Sequence, residues 1–479
     1  GRDCGAVLAP DLGGQRRDAM NSHVHAAWRQ LLPGAAFAVA VHAAAAQGAT
    51  LTLPDAIHQA LANNPQYLSQ QLEIDRSGSA VAAARAAGRP QLGGSASAMR
   101  FGYPTFVHGI RAPGVFPPLD KNIIDLGLTF KLPLYTGGRL EKGILIAEFG
   151  QQMARERERL GVQELSFNVS TVYFKIQQLD ALAQVYAARI TSLQAQQRRA
   201  ALMRDSGKTG KLETLRIGTL LTKARHDRLQ IENRGLEAWT LLYQLAGSAG
   251  PEPRPALLRY AAAAAPMPSL EHWRQQALSQ RPELQIARHQ RAAGLAREDI
   301  ARAGNRPEVV LLSGLHERSG GDTHFYTDWS VGLQLSVPLF DGGLRRAQVD
   351  QAATARRQTE LALQQVRLEI DKQVEDAWNA NAEAQSRLLV TATSIGEASE
   401  ALAIETLKVE QGVGVMTDVL SAETALLGAQ ADRLQAQFDI ITTRLGLLRA
   451  AGVLSPEQVV ALVAPQGTAS EAGTKGDKP

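Results

Sequence analysis

The chain has 479 residues and a mass of 51.4 kDa, and 44 % of its residues are hydrophobic, enough to bury a sizeable core. Its 51 basic and 47 acidic residues nearly cancel to a formal charge of +4 with no dense basic stripe, which argues against a nucleic-acid partner. The single cysteine, Cys4, lies so near the start that the rest of the chain has no disulfide, thiolate nucleophile or cysteine metal site.

From Met20 onward, Arg29 and an apolar run over 31–46, closing on Ala44-Ala45-Ala46 before Gln47, have the pattern of a secretory signal with its cleavage site. Residues 1–46 are therefore expected to be upstream sequence and signal peptide. No later stretch holds 18 consecutive apolar residues, which excludes a helical inner-membrane protein.

The remainder is written twice. Pro65 in Ala60-Leu61-Ala62-Asn63-Asn64-Pro65 recurs 217 positions on as Pro282, and Pro90 as Pro307. Pro133 in Leu132-Pro133-Leu134-Tyr135-Thr136-Gly137-Gly138 recurs only 205 positions on, in Val337-Pro338-Leu339-Phe340-Asp341-Gly342-Gly343, and Gly247 likewise as Gly452. The lost residues place a longer external loop in the first copy, over 102–119, because insertions belong in exposed loops. The copies are assigned to 47–250, with short helices first, and to 269–453. A proline-rich irregular linker over 251–268 joins them, and a flexible tail over 454–479 follows.

Each copy holds one strand of strict period two. Ile124, Leu126, Leu128 and Phe130 alternate with polar or small residues in the first, and Trp329, Val331, Leu333 and Leu335 in the second. About ten alternating residues are the length and pattern of an outer-membrane strand, apolar toward lipid and polar toward a lumen. Weaker strands at 91–101 and 307–317 precede them, giving hairpins at about 91–134 and 307–340. Four strands cannot close a barrel, for which about eight are needed, whereas three chains supply twelve and leave no free edge in lipid.

After Gly138 and Gly343 each copy runs without proline for over a hundred residues of Ala, Leu, Gln, Glu and Arg, interrupted by glycines at Gly207, Gly210 and at Gly412, Gly414. Each run reads as a helical hairpin, 138–247 and 343–451, with a first arm about 100 Å long at 1.5 Å per residue. Ala384, Leu388, Thr391, Ile395, Ala398 and Leu402 repeat every three and four residues, as do Val419, Ala422, Leu426 and Ala429, which predicts coiled-coil packing with small residues at the seam.

Together the Ala-Leu-Ala-Asn-Asn-Pro start, the two Gly-Gly corners and Gly412-Val413-Gly414-Val415-Met416-Thr417-Asp418-Val419-Leu420 resemble the TolC family of outer-membrane efflux ducts over about 51–453. The resemblance implies a mainly α, internally duplicated fold. In it a homotrimeric 12-stranded β-barrel continues as a coiled-coil-packed 12-helix α-barrel through the periplasm of a Gram-negative bacterium. It also implies a periplasmic adaptor and an inner-membrane pump, proton-driven or of ABC type, as partners, and passive export of drugs, other small molecules or proteins. The family's periplasmic entrance is closed by acids just past the glycine turn, which maps onto Asp418, with Glu213 in the equivalent place of the first copy. Ser421 stands where better-known members carry a second acid, and Gly414 where they carry a base. Asp418 and Glu213 would serve equally to compensate helix dipoles. The tips, including Gly207, Gly210, Leu212, Gly412, Gly414 and Val415, are where the adaptor would dock.

No nucleophile, base and orienter come together in the sequence, and the histidines outside the leader lack metal-ligand spacing, so no enzyme, cofactor or metal is expected. A soluble periplasmic adaptor is the alternative reading, although it would carry one helical hairpin rather than two.

Overall fold

A computed structural model describes residues 50–207, 210–250, 253–262, 267–322 and 324–465. The expected signal lies outside the described residues, as do Lys208 and Thr209 in the first tip and residues 466–479.

Two short helices open each copy. In the first, α1 (Leu53–Asn63) and α2 (Pro65–Ala86) are separated at Asn64, whose side chain accepts from the Tyr67 N–H at 3.0 Å and donates to the Leu245 carbonyl at 2.9 Å. Proline at the first position of α2 costs no helical hydrogen bond, because that N–H has no partner in any helix. The strands β1 (Gln91–Phe106) and β2 (Leu119–Tyr135) follow, then α3 (Arg139–Asp205) and α4 (Lys211–Leu245). After the short β3 (Tyr260–Ala262), the second copy repeats the plan. It runs α5 (Leu270–Gln280), α6 (Pro282–Ala303), β4 (Glu308–Ser319), β5 (Phe325–Ser336), α7 (Leu344–Glu410) and α8 (Met416–Ala450). The long arms match in length, 67 residues for α3 and α7 and 35 for α4 and α8.

Glycine pairs turn each strand into its long helix. Gly137 and Gly138, and Gly342 and Gly343, all take positive φ between 67° and 93°, a region that side chains with a Cβ enter only under strain. In the second copy the Asp341 carboxylate caps the start of α7, accepting from the Gly343 and Arg345 backbone N–H groups and from the Arg345 side chain.

The α7–α8 seam falls where its period places it: Ala384 and Thr391 are buried, and Leu388, Ile395, Ala398 and Leu402 are half-buried. Helix α3 lies between α4 and α8, so it is buried on more of its circumference than α7, whose exposed residues include Leu361, Leu368, Leu389 and Leu407. The main core gathers where the short helices meet the long ones, around Leu53, Ile57, Tyr173, Phe174, Leu242, Leu284 and Leu445.

Four boundaries depart from the sequence reading. Part of the tail expected at 454–479 is ordered: α9 (Pro456–Ala461) and β6 (Val463–Pro465) follow α8, with Ser455 accepting from the Gln458 N–H as a cap. Part of the linker expected to be irregular is ordered too, since β3 pairs antiparallel with β6. Neither strand exceeds three residues, too short to show a period, and their partner lies some 200 positions away. Side chains from α3 complete the tie: the Tyr173 hydroxyl sits 2.8 Å from the Leu51 and Leu258 carbonyls, and Gln177 donates to Leu258 at 2.5 Å. Burial pushes the Tyr173 hydroxyl well above its ordinary pKa, which keeps it a donor. The first hairpin's strands run on to Phe106 and from Leu119, shortening the loop to 107–118. Finally, β5 ends at Ser336, whose partner Glu308 is the first residue of β4, so the ladder stops where the partner strand starts.

Candidate functional site: the sheet and the helix tips

The four long strands form one antiparallel sheet in the order β1-β2-β4-β5, so the two copies' hairpins lie side by side. Register decides which side chains share a face. Leu128 pairs with Leu315 and Leu315 with Trp329; Phe130 pairs with Ser313 and Ser313 with Val331; Leu132 pairs with Leu311 and Leu311 with Leu333. Ile124, Leu126, Leu128 and Phe130 therefore lie on the same face as Trp329, Val331, Leu333 and Leu335. The first three of the former and all four of the latter are exposed, Trp329 by 74 %.

The opposite face is polar and carries a charged cluster. Asp125 accepts from the Arg318 side chain at 2.6 Å, and its other oxygen lies 2.9 Å from His316 Nδ1. The His316 ring rests over two glycines: a Cβ on Gly127 would come within 3.1 Å of it, and one on Gly314 within 3.2 Å. The sequence shows glycine at those places without saying why; the His316 ring, across the strand boundary from Gly127 and two residues along the same strand from Gly314, is the reason. Among the described residues β1 and β5 each have one unpaired side, and no helix is long and apolar enough to cross a membrane. The surface suited to lipid is the apolar face of this sheet.

At the far end of the long helices, the tips are closed by glycine. Gly207 and Gly412 take φ of +71° and +78°, and the Val413 and Gly414 N–H groups both donate to the Lys408 carbonyl at 3.0 Å. Gly414 has an ordinary φ but no room, since a Cβ there would lie 2.8 Å from that of Lys408 and 2.9 Å from the Val409 nitrogen. Gly210 and Val415 occupy the extended N-cap positions of α4 and α8, and Leu212 and Val415 are exposed by 61 % and 59 %.

Glu213 and Asp418 sit in the first turns of α4 and α8, Glu213 half-buried and Asp418 exposed. Both are placed to oppose the positive end of a helix dipole. The Ser421 hydroxyl donates to the Thr417 carbonyl at 2.9 Å within its own helix. Arg216, in the second turn of α4, joins that helix to the first turn of α8 by donating to the Thr417 hydroxyl at 3.1 Å.

One tip feature escaped the sequence reading. Glu423 on α8 accepts from Arg189, Ser192 and Gln196, all on α3, and the ion pair it forms with Arg189 is only 12 % and 8 % exposed. Just below, Ile190, Leu193 and Ala200 of α3 pack with Ile217, Leu221 and Ala224 of α4 and Leu420 of α8. The partners stand more than 220 positions apart, and the only signal is an acid on a helix flank facing a seam.

A sheet with one apolar face, carried on two helical hairpins about 100 Å long, defines a subunit of a membrane duct that extends far from the bilayer. A family model described as "Outer membrane efflux protein" matches residues 56–248 and 273–453, and the chain belongs to that family, whose members are channels of the outer membrane. The match decides against the soluble adaptor reading. The chain is 30 % identical over 190 residues to the alkaline protease secretion protein AprF of Pseudomonas aeruginosa, covering 38 % of this chain and 39 % of that one. It is 24 % identical over 419 residues to the outer membrane efflux protein BepC of Brucella suis biovar 1, covering 85 % of this chain and 87 % of that one. The solved structure of the outer membrane protein VceC from Vibrio cholerae superposes with a TM-score of 0.72 at 19 % identity, covering 84 % and 96 % of the two chains, and shares the fold.

Proposed function

We propose that three copies of the chain assemble into a 12-stranded barrel in the outer membrane, continued by a 12-helix tube through the periplasm. This assembly is the passive exit duct of a tripartite efflux or type I secretion system. One observation carries the reading: a single four-stranded sheet with an apolar face and two open edges, which cannot remain open in lipid without leaving a row of backbone groups unpaired. The protease-secretion and efflux names of the relatives fit either kind of cargo, and a passive duct takes its selectivity from an inner-membrane pump, proton-driven or of ABC type. A periplasmic adaptor bridges pump and duct at the exposed tips around Leu212 and Val415. Three copies of Asp418, with Glu213 beside them, form an anionic entrance there. Reconstitution in planar bilayers tests this: stepwise ohmic conductance is expected, and Asp418→Ala should raise it or weaken its block by multivalent cations. Absence of channels overturns the duct, and an unchanged current at all voltages overturns the entrance ring.

A further inference from the structure

The two hairpins end differently. In the second, β4 ends at Ser319 and β5 begins as soon as Phe325, whereas 107–118 form a folded loop between β1 and β2, its neck held by the Val107 N–H donating to the Pro118 carbonyl at 3.0 Å. Its far end is a tight turn over Ala112-Pro113-Gly114-Val115: the Val115 N–H reaches the Ala112 carbonyl at 3.2 Å, and Gly114 has a φ of +80°.

The loop leans across the second hairpin on a definite side. The His108 ring lies 4.3 Å from the Tyr326 ring, centroid to centroid, and the Arg111 guanidinium lies 5.6 Å from the same ring and donates to the Thr327 carbonyl at 2.5 Å. Tyr326 pairs with Arg318, and Arg318 with Asp125, so Tyr326 projects from the polar face, the one turned away from lipid. The same face becomes apolar toward this end: Met99 pairs with Ile123, and Phe106 with Leu119, in step with Asp125. On the loop itself Ile110, Val115 and Phe116 are exposed by 62 %, 63 % and 78 %.

Lipid cannot cover an apolar surface on the lumenal side. Distance leaves another copy of the same loop as its cover. Twelve strands about 4.8 Å apart and tilted about 40° enclose a cylinder of radius about 12 Å. Half of a 12-residue loop reaches up to about 20 Å when extended, so a loop leaning inward needs only about six-tenths of that span to meet its copies at the axis.

We propose that loop 107–118 folds into the outer mouth of the duct and packs against its two copies near the axis through Ile110, Val115 and Phe116. This forms an apolar constriction at the external end, distinct from the acidic periplasmic entrance. The proposal rests on the trimeric reading above. Such a ring narrows the path of hydrated ions and lowers their conductance without abolishing it, and it yields to bulky or apolar cargo pushed from below.

The test uses full-length protein with Cys4→Ser, purified from outer membranes, carrying Phe116→Cys, with Leu333→Cys on the lipid face as control. A short bismaleimide should join Phe116→Cys subunits into covalent dimers on denaturing gels and leave Leu333→Cys monomeric. Bimane attached at Phe116→Cys should resist quenching by nitroxide-labelled lipid, whereas at Leu333→Cys it should be quenched. Native gels on the same samples report the trimer. A trimer whose Phe116→Cys fails to cross-link, or whose bimane is quenched by lipid, overturns the inward loop and leaves the duct standing. Loss of the trimer in the Cys4→Ser parent overturns both.

Discussion

Replacing Glu423 with alanine removes the one acceptor on which Arg189, Ser192 and Gln196 converge, and leaves the Arg189 guanidinium 8 % exposed between α3 and α8 without a counter-charge. Removing one partner of a buried ion pair costs about 3–5 kcal/mol, because the other charge stays desolvated and uncompensated. Little solvent discount applies at this burial. If the tip opens locally before its amides exchange, 3 kcal/mol corresponds to roughly a 150-fold faster rate. Hydrogen exchange on the detergent-solubilised protein, read on peptides spanning 186–200 and 417–430, measures it. Arg387→Ala is the comparison: it breaks an exposed network with Glu383 and Asp439, and such pairs contribute about 0.2–1 kcal/mol. Arg189→Met combined with Glu423→Leu should restore most of the protection, since apolar groups of similar volume replace buried pairs at little cost. Exchange in Glu423→Ala no more than about fivefold above the parent, the range of an exposed pair, would refute the claim that this node clasps the tip.

Three further outcomes follow from the geometry. Gly137→Ala should destabilise the protein more than Gly342→Ala, its counterpart in the second copy. Both leave a left-handed φ, which costs about 1–2 kcal/mol, but only at Gly137 would the new Cβ meet Arg306, at 2.8 Å; thermal unfolding that ranks them the other way contradicts the placement of Arg306. Val331→Arg on the apolar face should lower the yield of assembled protein, at about 2–4 kcal/mol for a charge near mid-membrane, whereas Ser330→Arg on the other face should assemble and change ion selectivity; equal yields would argue against the two faces. The Arg345 side chain, with backbone N–H groups, holds the Asp341 carboxyl below its ordinary pKa, so its capping of α7 stabilises the fold above the unfolded carboxyl's pKa and is lost as pH falls through the lowered value. The difference in melting temperature between the parent and Asp341→Asn should thus be present at neutral pH and vanish in acid; a difference independent of pH removes the charge from the explanation.

What the sequence showed and what it hid divide along chain separation. Periodic features were legible because each residue reports on itself: the period of two from Trp329 to Leu335, the seam from Ala384 to Leu402, and the left-handed glycines Gly207 and Gly412. The 205-residue offset carried the match between α3 and α7 as well. Contacts between distant segments had no local signature. The β3–β6 pair joins three residues on each side, the Arg189–Glu423 pair joins the two copies, and His316 is seated on Gly127 from across a strand boundary. The fold of the 107–118 loop was hidden for a similar reason, since an insertion rich in proline marks an exposed loop but not the side of the sheet on which it lies. For Asp418 and Glu213 the first-turn positions were readable, and for Ser421 its place one turn further on, whereas the Arg216–Thr417 link between their helices was not.

The open four-stranded sheet must be closed by copies of itself for the duct to form. Native mass measurement of the protein extracted from outer membranes tests that most directly. Three chains per particle, heat-resistant and recovered with the outer membrane, is the predicted result; a monomer, or a soluble periplasmic species, would contradict it.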